Sequence, residues 1–600
     1  MYFEKKKRKL DVDVFVKVLS FTKPYKSLFY TSLIFTLSLA FITPLRPWLI
    51  QYSFDHFVSI PNQEKLLEFT IYILGVLFLE CGLLFSSMYF TNKIGQNVIY
   101  DLRTKLFRHL SGFKASFFDK NPIGLLVTRT ISDIQNIADV FSQGFLEILG
   151  DILKILIITS VMLSTDWQLS LISLSTIPVL IYCTYIFKNA IKKSFQDVRN
   201  AVASLNSFVQ EHITGVSIIQ MFNKETDEAL KFDVLNKEHR QAHIRSNWAY
   251  SVFFPVVEVL SAISLGLLIW WGAKGALQEK YTLGIILSFT MYINMLFRPI
   301  RQLADRFNTL QMGIVCAERV FKLLETNYSI KNEGRISANS IVGNIAYKNV
   351  WFSYESAAAN NSAEELTETN YVLKGISFKI NKGETIALVG TTGSGKTSII
   401  NLVNRFYQKT KGEIFIDDIE LEHYELSSLR KQIGMVHQDV FLFSDSIRNN
   451  ITLGNIDISD EQIISAAKEI GIWEFINKLP GKLDFDVKER GGSLSSGQKQ
   501  LLSFIRAFVN HPKILILDEA TSNIDSESEQ LIQLATSKIT QNQTSIIVAH
   551  RLSTILNANK ILVMQNGQII ESGNHHELIS KGSYYKHLYD LQFKNQEILN

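Results

Sequence analysis

The sequence predicts a multi-domain chain, an all-α unit of six membrane-length helices followed by an α/β unit, and three observations carry that reading. Long apolar runs crowd the first half. The charged stretches between them keep helical periodicity with few breakers. Past residue 340, short apolar runs alternate with turn-rich and helix-periodic segments, as in a sheet covered on both faces.

At 600 residues the chain is too long for one core. Hydrophobic residues make up 46% and charged residues 20%, close to soluble averages, so their distribution decides the class rather than their totals. A net charge of +4 gives no reason to invoke nucleic acid. Cys81, Cys183 and Cys316 are far apart and lack metal-ligand spacing, so they read as free thiols. No apolar run with a small-residue cleavage site follows the N-terminus at leader distance, and no cleaved leader is expected. The basic cluster Lys5-Lys6-Lys7-Arg8-Lys9 could by itself be a nucleic-acid patch, but ahead of the first apolar run it is expected to pin the N-terminus to the cytoplasmic side.

A membrane-spanning helix takes about 20 apolar residues. Segments near 27–50, 67–90, 144–164, 168–188, 252–274 and 282–298 meet that demand, some with flanking residues. The first contains Pro44 and Pro47, which a bundle tolerates by repacking around the freed carbonyls. The charged stretches 91–143 and 189–251 extend the helices into the cytoplasm, whereas the opposite loops near 51–66, 165–167 and 275–281 are short. Six spans leave both termini on one side.

The α/β unit opens with strands at Ile345–Ser353 and Val372–Ile380, separated by a polar surface loop through Glu355, Asn360, Asn361, Glu364 and Glu365. A third strand, Ile386-Ala387-Leu388-Val389, runs into Gly390-Thr391-Thr392-Gly393-Ser394-Gly395-Lys396-Thr397, and an apolar-periodic helix through Ser398 follows. This is a phosphate loop in its required strand-to-helix context. Glycines let backbone N–H groups face phosphate oxygens, and the helix N-terminus adds a favourable dipole. Lys396 should reach the β- and γ-phosphates and Thr397 should coordinate Mg²⁺. A further apolar strand, Ile514-Leu515-Ile516-Leu517, ends in Asp518-Glu519. Asp518 suits the metal and Glu519 the attacking water.

Leu494-Ser495-Ser496-Gly497-Gln498 precedes a helix through Leu501 to Phe508 and resembles the signature of ATP-binding-cassette (ABC) proteins, normally Leu-Ser-Gly-Gly-Gln, with Ser496 replacing the first glycine. The resemblance covers nearly the whole chain. Phe117-Phe118-Asp119-Lys120-Asn121-Pro122-Ile123-Gly124 resembles the first intracellular coupling region of the family's exporters, and Glu211 with Gly215 to Phe222 resembles the second. The boundaries this implies are a transmembrane domain over 1–325, a linker over 326–342 and a nucleotide-binding domain over 343–593.

The resemblance also implies roles. Tyr354 matches the aromatic that stacks on adenine, and Gln438, in Val436-His437-Gln438-Asp439, matches the glutamine that senses Mg²⁺ and touches the coupling region. Ser495 and Gly497, with Ser496 and Gln498 beside them, match groups that grip the γ-phosphate of ATP bound by the opposite subunit. Asp525, in Ser522-Asn523-Ile524-Asp525, matches a loop linking the two sites, and His550, after Ile546-Ile547-Val548-Ala549, matches the γ-phosphate histidine. Glu489 matches an exporter motif near the coupling helices, although Lys488 stands where that motif has glycine. The cofactors implied are ATP and Mg²⁺. The implied location is a bacterial cell membrane with the nucleotide domain in the cytoplasm.

The function implied is ATP-driven export by alternating access, with drug, lipid or hydrophobic peptide as cargo. An ATP-gated channel shares every motif, and a soluble ATPase shares those of the second half. Lys396, Asp518, Glu519 and His550 are all present, so one chain supplies everything two competent sites need and a homodimer is expected. The stretches 297–303 and 307–311 resemble members of heterodimeric pairs and keep that arrangement open. Arg46, Glu80, Glu258 and Arg298 lie in or near apolar runs, where ionisable groups are costly and point to function unless they pair or reach the interface.

Overall fold

A computed structural model describes residues 12–59, 62–140, 145–330, 332, 334–355, 370–518, 526–541, 543–549 and 552–592. The chain divides into two compact units. One takes Met1–Ser111 and Ile123–Thr326, the other Gly112–Pro122 and Asn327–Asn600.

The first unit is helical. By length and composition, five helical segments among the described residues are long and apolar enough to cross a membrane: Lys23–Val58, Gln63–Ser111, Trp167–Thr214, Glu225–Leu277 and Leu283–Ile300. The segment expected near 144–164 forms the helix Leu146–Thr165, which carries Glu147, Asp151 and Lys154 among its apolar residues. Two of those charges meet Arg306, whose Nη2 lies 2.9 Å from Glu147 and whose Nη1 pairs with Asp151. The charged stretches do extend the helices, giving Gln63–Ser111 at 49 residues and Glu225–Leu277 at 53.

Proline breaks the first span. Helix Lys26–Ile42 stops before Pro44 and resumes as Leu45–Ser53. The hydroxyl of fully buried Tyr292 donates to the Pro44 carbonyl at 3.1 Å, so a side chain from the last span serves a backbone group at the break. Small polar residues join other helices: Ser32 shares a hydrogen bond with Thr91 at 2.5 Å, and Ser264 donates to the Ser173 carbonyl at 2.5 Å. Phe187, Phe253, Phe289, Tyr292 and Phe297 fill the core among aliphatic residues.

In the second unit, the described residues contain ten strands: β1 Ile345–Phe352, β2 Leu373–Ile380, β3 Thr385–Gly390, β4 Lys411–Ile416, β5 Ile419–Glu420, β6 Ile433–Val436, β7 Ile514–Asp518, β8 Thr544–Val548, β9 Lys560–Gln565 and β10 Gln568–Gly573. An antiparallel sheet has the order β2-β1-β4-β5, and a second sheet has the order β10-β9-β3-β8-β7-β6. Strands β9, β3, β8, β7 and β6 run parallel, and β7, β8 and β3 as far as Val389 are buried, which explains their apolar runs. The polar loop expected after Glu355 falls at 356–369, outside the described residues.

Candidate functional site

The order of the parallel sheet builds the site. In register, Leu388 of β3 pairs Val548 of β8, and Val548 pairs Asp518 of β7. The carboxyl ends of three neighbouring strands therefore open side by side, where ligands bind in open α/β sheets. The phosphate loop leaves β3, Asp518 ends β7, and β8 leads toward His550. Glu519, Asp525 and His550 themselves lie outside the described residues.

The loop is shaped for a close anionic guest. Gly393 and Gly395 take φ of +83° and +101°, conformations a side chain resists, and a Cβ on Gly390 would meet the Met564 carbonyl at 2.3 Å. Helix Lys396–Val403 starts directly after Gly395. Ser394 is 2% exposed, and its Oγ is buried without a hydrogen-bond partner. A buried hydroxyl of that kind fits a phosphate oxygen. Lys396 Nζ donates to the carbonyls of Gly390 at 2.8 Å and Thr391 at 3.0 Å. Burial holds its ammonium below the ordinary lysine range, and the Asp518 carboxylate opposes that shift. Thr391, Thr392, Gly393 and Thr397 are exposed on the loop, and Ser398 is buried behind it.

Gln438 is exposed two residues beyond β6, whose Val436 pairs Leu517 of β7. It therefore stands on the Asp518 side of the sheet end. Thr397, Gln438 and Asp518 offer a hydroxyl, an amide oxygen and a carboxylate, a hard-oxygen set that fits Mg²⁺.

Tyr354, just past β1, is held from three directions. Its hydroxyl lies 3.0 Å from Ser398 Oγ, and the rings of Phe352 and Tyr407 pack steeply inclined to it at centroid distances of 4.7 and 5.0 Å.

The signature starts helix Ser496–Phe508. Ser495 is its N-cap and closes a capping box: Ser495 Oγ accepts from the Gln498 N–H at 3.2 Å, and Gln498 Oε1 accepts from the Ser495 N–H at 3.0 Å. Ser495 and Ser496 are exposed at this helix N-terminus, whereas Gly497 is buried. Upstream, Lys488 adopts φ 60° and ψ −174°, a region otherwise reserved for glycine, and Glu489 follows it. Asp486 clamps that turn, accepting from the Lys488 backbone N–H and from its Nζ, both at 2.9 Å.

The two segments that resemble coupling regions differ in setting. Segment 112–122 groups with the nucleotide unit, where Lys114 N–H donates to the Tyr328 carbonyl at 2.9 Å and Phe117 packs on Tyr328. Helix Val216–Met221 belongs to the first unit and leaves Ile218, Met221 and Phe222 exposed. Among the charges flagged in the apolar runs, Arg46 lies 3.8 Å from Glu80, while Glu258 and Arg298 are exposed. Sequence reasoning missed Arg306 and Tyr407. Arg306 stands beyond the last apolar run, and only the register of two distant helices brings it to Glu147 and Asp151.

Comparison with known proteins agrees with this architecture. The family described as ABC transporter transmembrane region matches residues 29–300, and the one described as ABC transporter matches 373–522. An ABC transporter ATP-binding protein of Bacillus subtilis, YknV, itself uncharacterised, is 36% identical over 96% of this chain and 94% of its own. A Staphylococcus aureus protein provisionally named a multidrug export ATP-binding/permease protein is 38% identical over 96% of this chain and 99% of its own. With a membrane region and an ATP-binding domain matched in series, and relatives that cover 96% of it, this chain belongs to the ABC transporters, as a half-transporter whose ATPase is coupled to transport.

Proposed function

We propose that the chain exports hydrophobic or amphipathic compounds, drugs or lipids, by alternating access, as a homodimer in a bacterial cell membrane with its nucleotide domains in the cytoplasm. The observation that carries this reading is a phosphate cradle and Asp518 at one sheet end, in a chain whose other half is a bundle of membrane-length helices. The multidrug-export name of the Staphylococcus aureus relative supports drug cargo.

Phosphoryl transfer needs positioning and charge stabilisation more than covalent help. Lys396 and the N–H groups of the phosphate loop hold the β- and γ-phosphates, and Tyr354 stacks on adenine. Glu519 polarises the attacking water and His550 contacts the γ-phosphate. Magnesium bound through Thr397, Gln438 and Asp518 supplies neutralising charge to the phosphates. Ser495, Ser496, Gly497 and Gln498 of one copy face the ATP held by the other, and Asp525 links the two sites. ATP thereby favours the closed pair, and losing the γ-phosphate removes that preference.

The test is ATPase activity of the purified chain in nanodiscs across a panel of drugs and lipids. At least one class should stimulate turnover, and Arg298→Ala, on an exposed face of the last span, should change the stimulation while sparing basal activity. A flat response across the panel, with ATP-dependent single-channel conductance, would replace the exporter reading by an ATP-gated channel.

A further inference from the structure

Of the three supports around Tyr354, two come from the core of the nucleotide unit. Ser398 is 4% exposed and Phe352 fully buried. The third is different. Tyr407 is half-buried, and its hydroxyl donates to the carboxylate of Asp119, 288 residues earlier in the chain. Asp119 sits on the six-residue helix Ala115–Lys120 of the first coupling region. That helix is seated by Phe117, whose ring lies 4.7 Å from Phe113 and 5.2 Å from Tyr328. Burial, with Asp119 beside it, pushes the Tyr407 phenol up, so it remains the donor throughout the physiological range.

The contacts form one line: Asp119 carboxylate, Tyr407 hydroxyl, Tyr407 ring, Tyr354 ring. The two rings are nearly perpendicular at 88°, an edge-to-face contact that sets the orientation of each ring against the other. The hydrogen bond to Asp119 anchors the far end of the Tyr407 ring in that contact.

We propose that Tyr407 is a positioning residue for ATP binding, holding the adenine-stacking ring of Tyr354 in plane only while Asp119 of the seated coupling helix holds its hydroxyl. This rests on the reading of Tyr354 as the adenine partner. Its consequence is that adenine affinity reports whether the first coupling helix is docked, through a side-chain route separate from the phosphate loop.

The test uses the full chain in nanodiscs, with KM for ATP, kcat and thermal midpoint measured for each variant. Tyr407→Phe keeps the ring and deletes the hydroxyl, and Asp119→Ala deletes the acceptor from an exposed helix face. Each should raise KM about three- to tenfold, the scale of a partly exposed hydrogen bond to a charged group, with kcat within about twofold. Together they should do no more than either alone, because both cut the same link. Asp119→Asn keeps an acceptor oxygen and should return KM to within about twofold of the parent. Tyr354→Ala separates the two readings. A raised KM in Tyr354→Ala with unchanged KM in Tyr407→Phe and Asp119→Ala overturns the positioning role and leaves adenine stacking intact. An unchanged KM in Tyr354→Ala overturns both. Additive effects, or a lowered kcat and thermal midpoint with KM constant, assign Tyr407 to packing and overturn the proposal.

Discussion

Ser495 carries two assignments that a pair of substitutions separates. As N-cap it accepts from Gln498 N–H at 3.2 Å inside a reciprocal box, and as a signature residue it is read as facing the γ-phosphate on the second copy. Ser495→Ala removes both. Losing the cap costs about 1 kcal/mol, which in a domain of this size is about 2–4 °C of thermal midpoint. Ser495→Asp keeps the cap, because aspartate is as good an N-cap as serine, and so should hold the midpoint within about 1 °C. It also sets a carboxylate against a phosphate oxygen. Two unit charges about 4 Å apart repel by about 4 kcal/mol at an effective dielectric of about 20, close to a thousandfold in kcat/KM. The assays are thermal unfolding and steady-state ATPase on the same preparations. Stable, inactive Ser495→Asp is the expected result. Near-parental ATPase in Ser495→Asp would refute the placement of Ser495 at a phosphate, and a fallen midpoint with intact turnover would leave it only the cap.

Glu519→Gln should retain ATP binding yet lose turnover and accumulate the closed dimer, whereas Lys396→Ala should weaken binding itself; near-normal turnover of the first removes Glu519 from the water. Lys488→Gly should raise the thermal midpoint by a few degrees. Relief of a backbone strain of about 1–3 kcal/mol outweighs the added freedom of the unfolded glycine, about 0.5–1 kcal/mol, and an exposed ion pair of little value. A lower midpoint would show that the Asp486 clamp stabilises the turn more than the strain opposes it. With the three native cysteines replaced, Ser394→Cys and Ser496→Cys in one chain should give an oxidised inter-chain crosslink in the presence of ATP, and a monomeric chain inactive until a second gene product is added would end the homodimer reading. Below pH 6.5 His212, paired with Glu228 at 2.7 Å, should tighten the turn ahead of the second coupling helix. Glu228 raises its pKa, so this contribution is complete below the unfolded value and fades as pH rises through the folded one, read out as faster amide exchange at Gly215–Lys224.

What the sequence made legible was local. The phosphate loop, the acidic end of β7 and the signature helix are each written within about a dozen residues, because backbone geometry there leaves few residue types free. Long-range pairing is not written that way. Nothing near Tyr407 names Asp119, and nothing near Arg306 names Asp151, 155 residues away. The prolines of the first span announced freed carbonyls, but Tyr292, which donates to the buried Pro44 carbonyl, lies 248 residues on. Lys488 stood out as a departure from glycine, yet only its backbone angles show that the turn keeps the glycine conformation without the glycine.

The 53-residue helix Glu225–Leu277 is about 80 Å long at 1.5 Å per residue. A continuous helix of that length, with Pro255 inside it, converts angle into distance wherever it moves as one piece. Tilting it about 5° around its membrane end sweeps its far tip through roughly 7 Å, more than a full helical turn, while residues near the pivot move by less than an atomic radius. Packing inside the bundle therefore needs to yield very little for a large stroke to be delivered at the tip. By the same geometry, a push applied at the tip arrives at the pivot with multiplied force over a short travel.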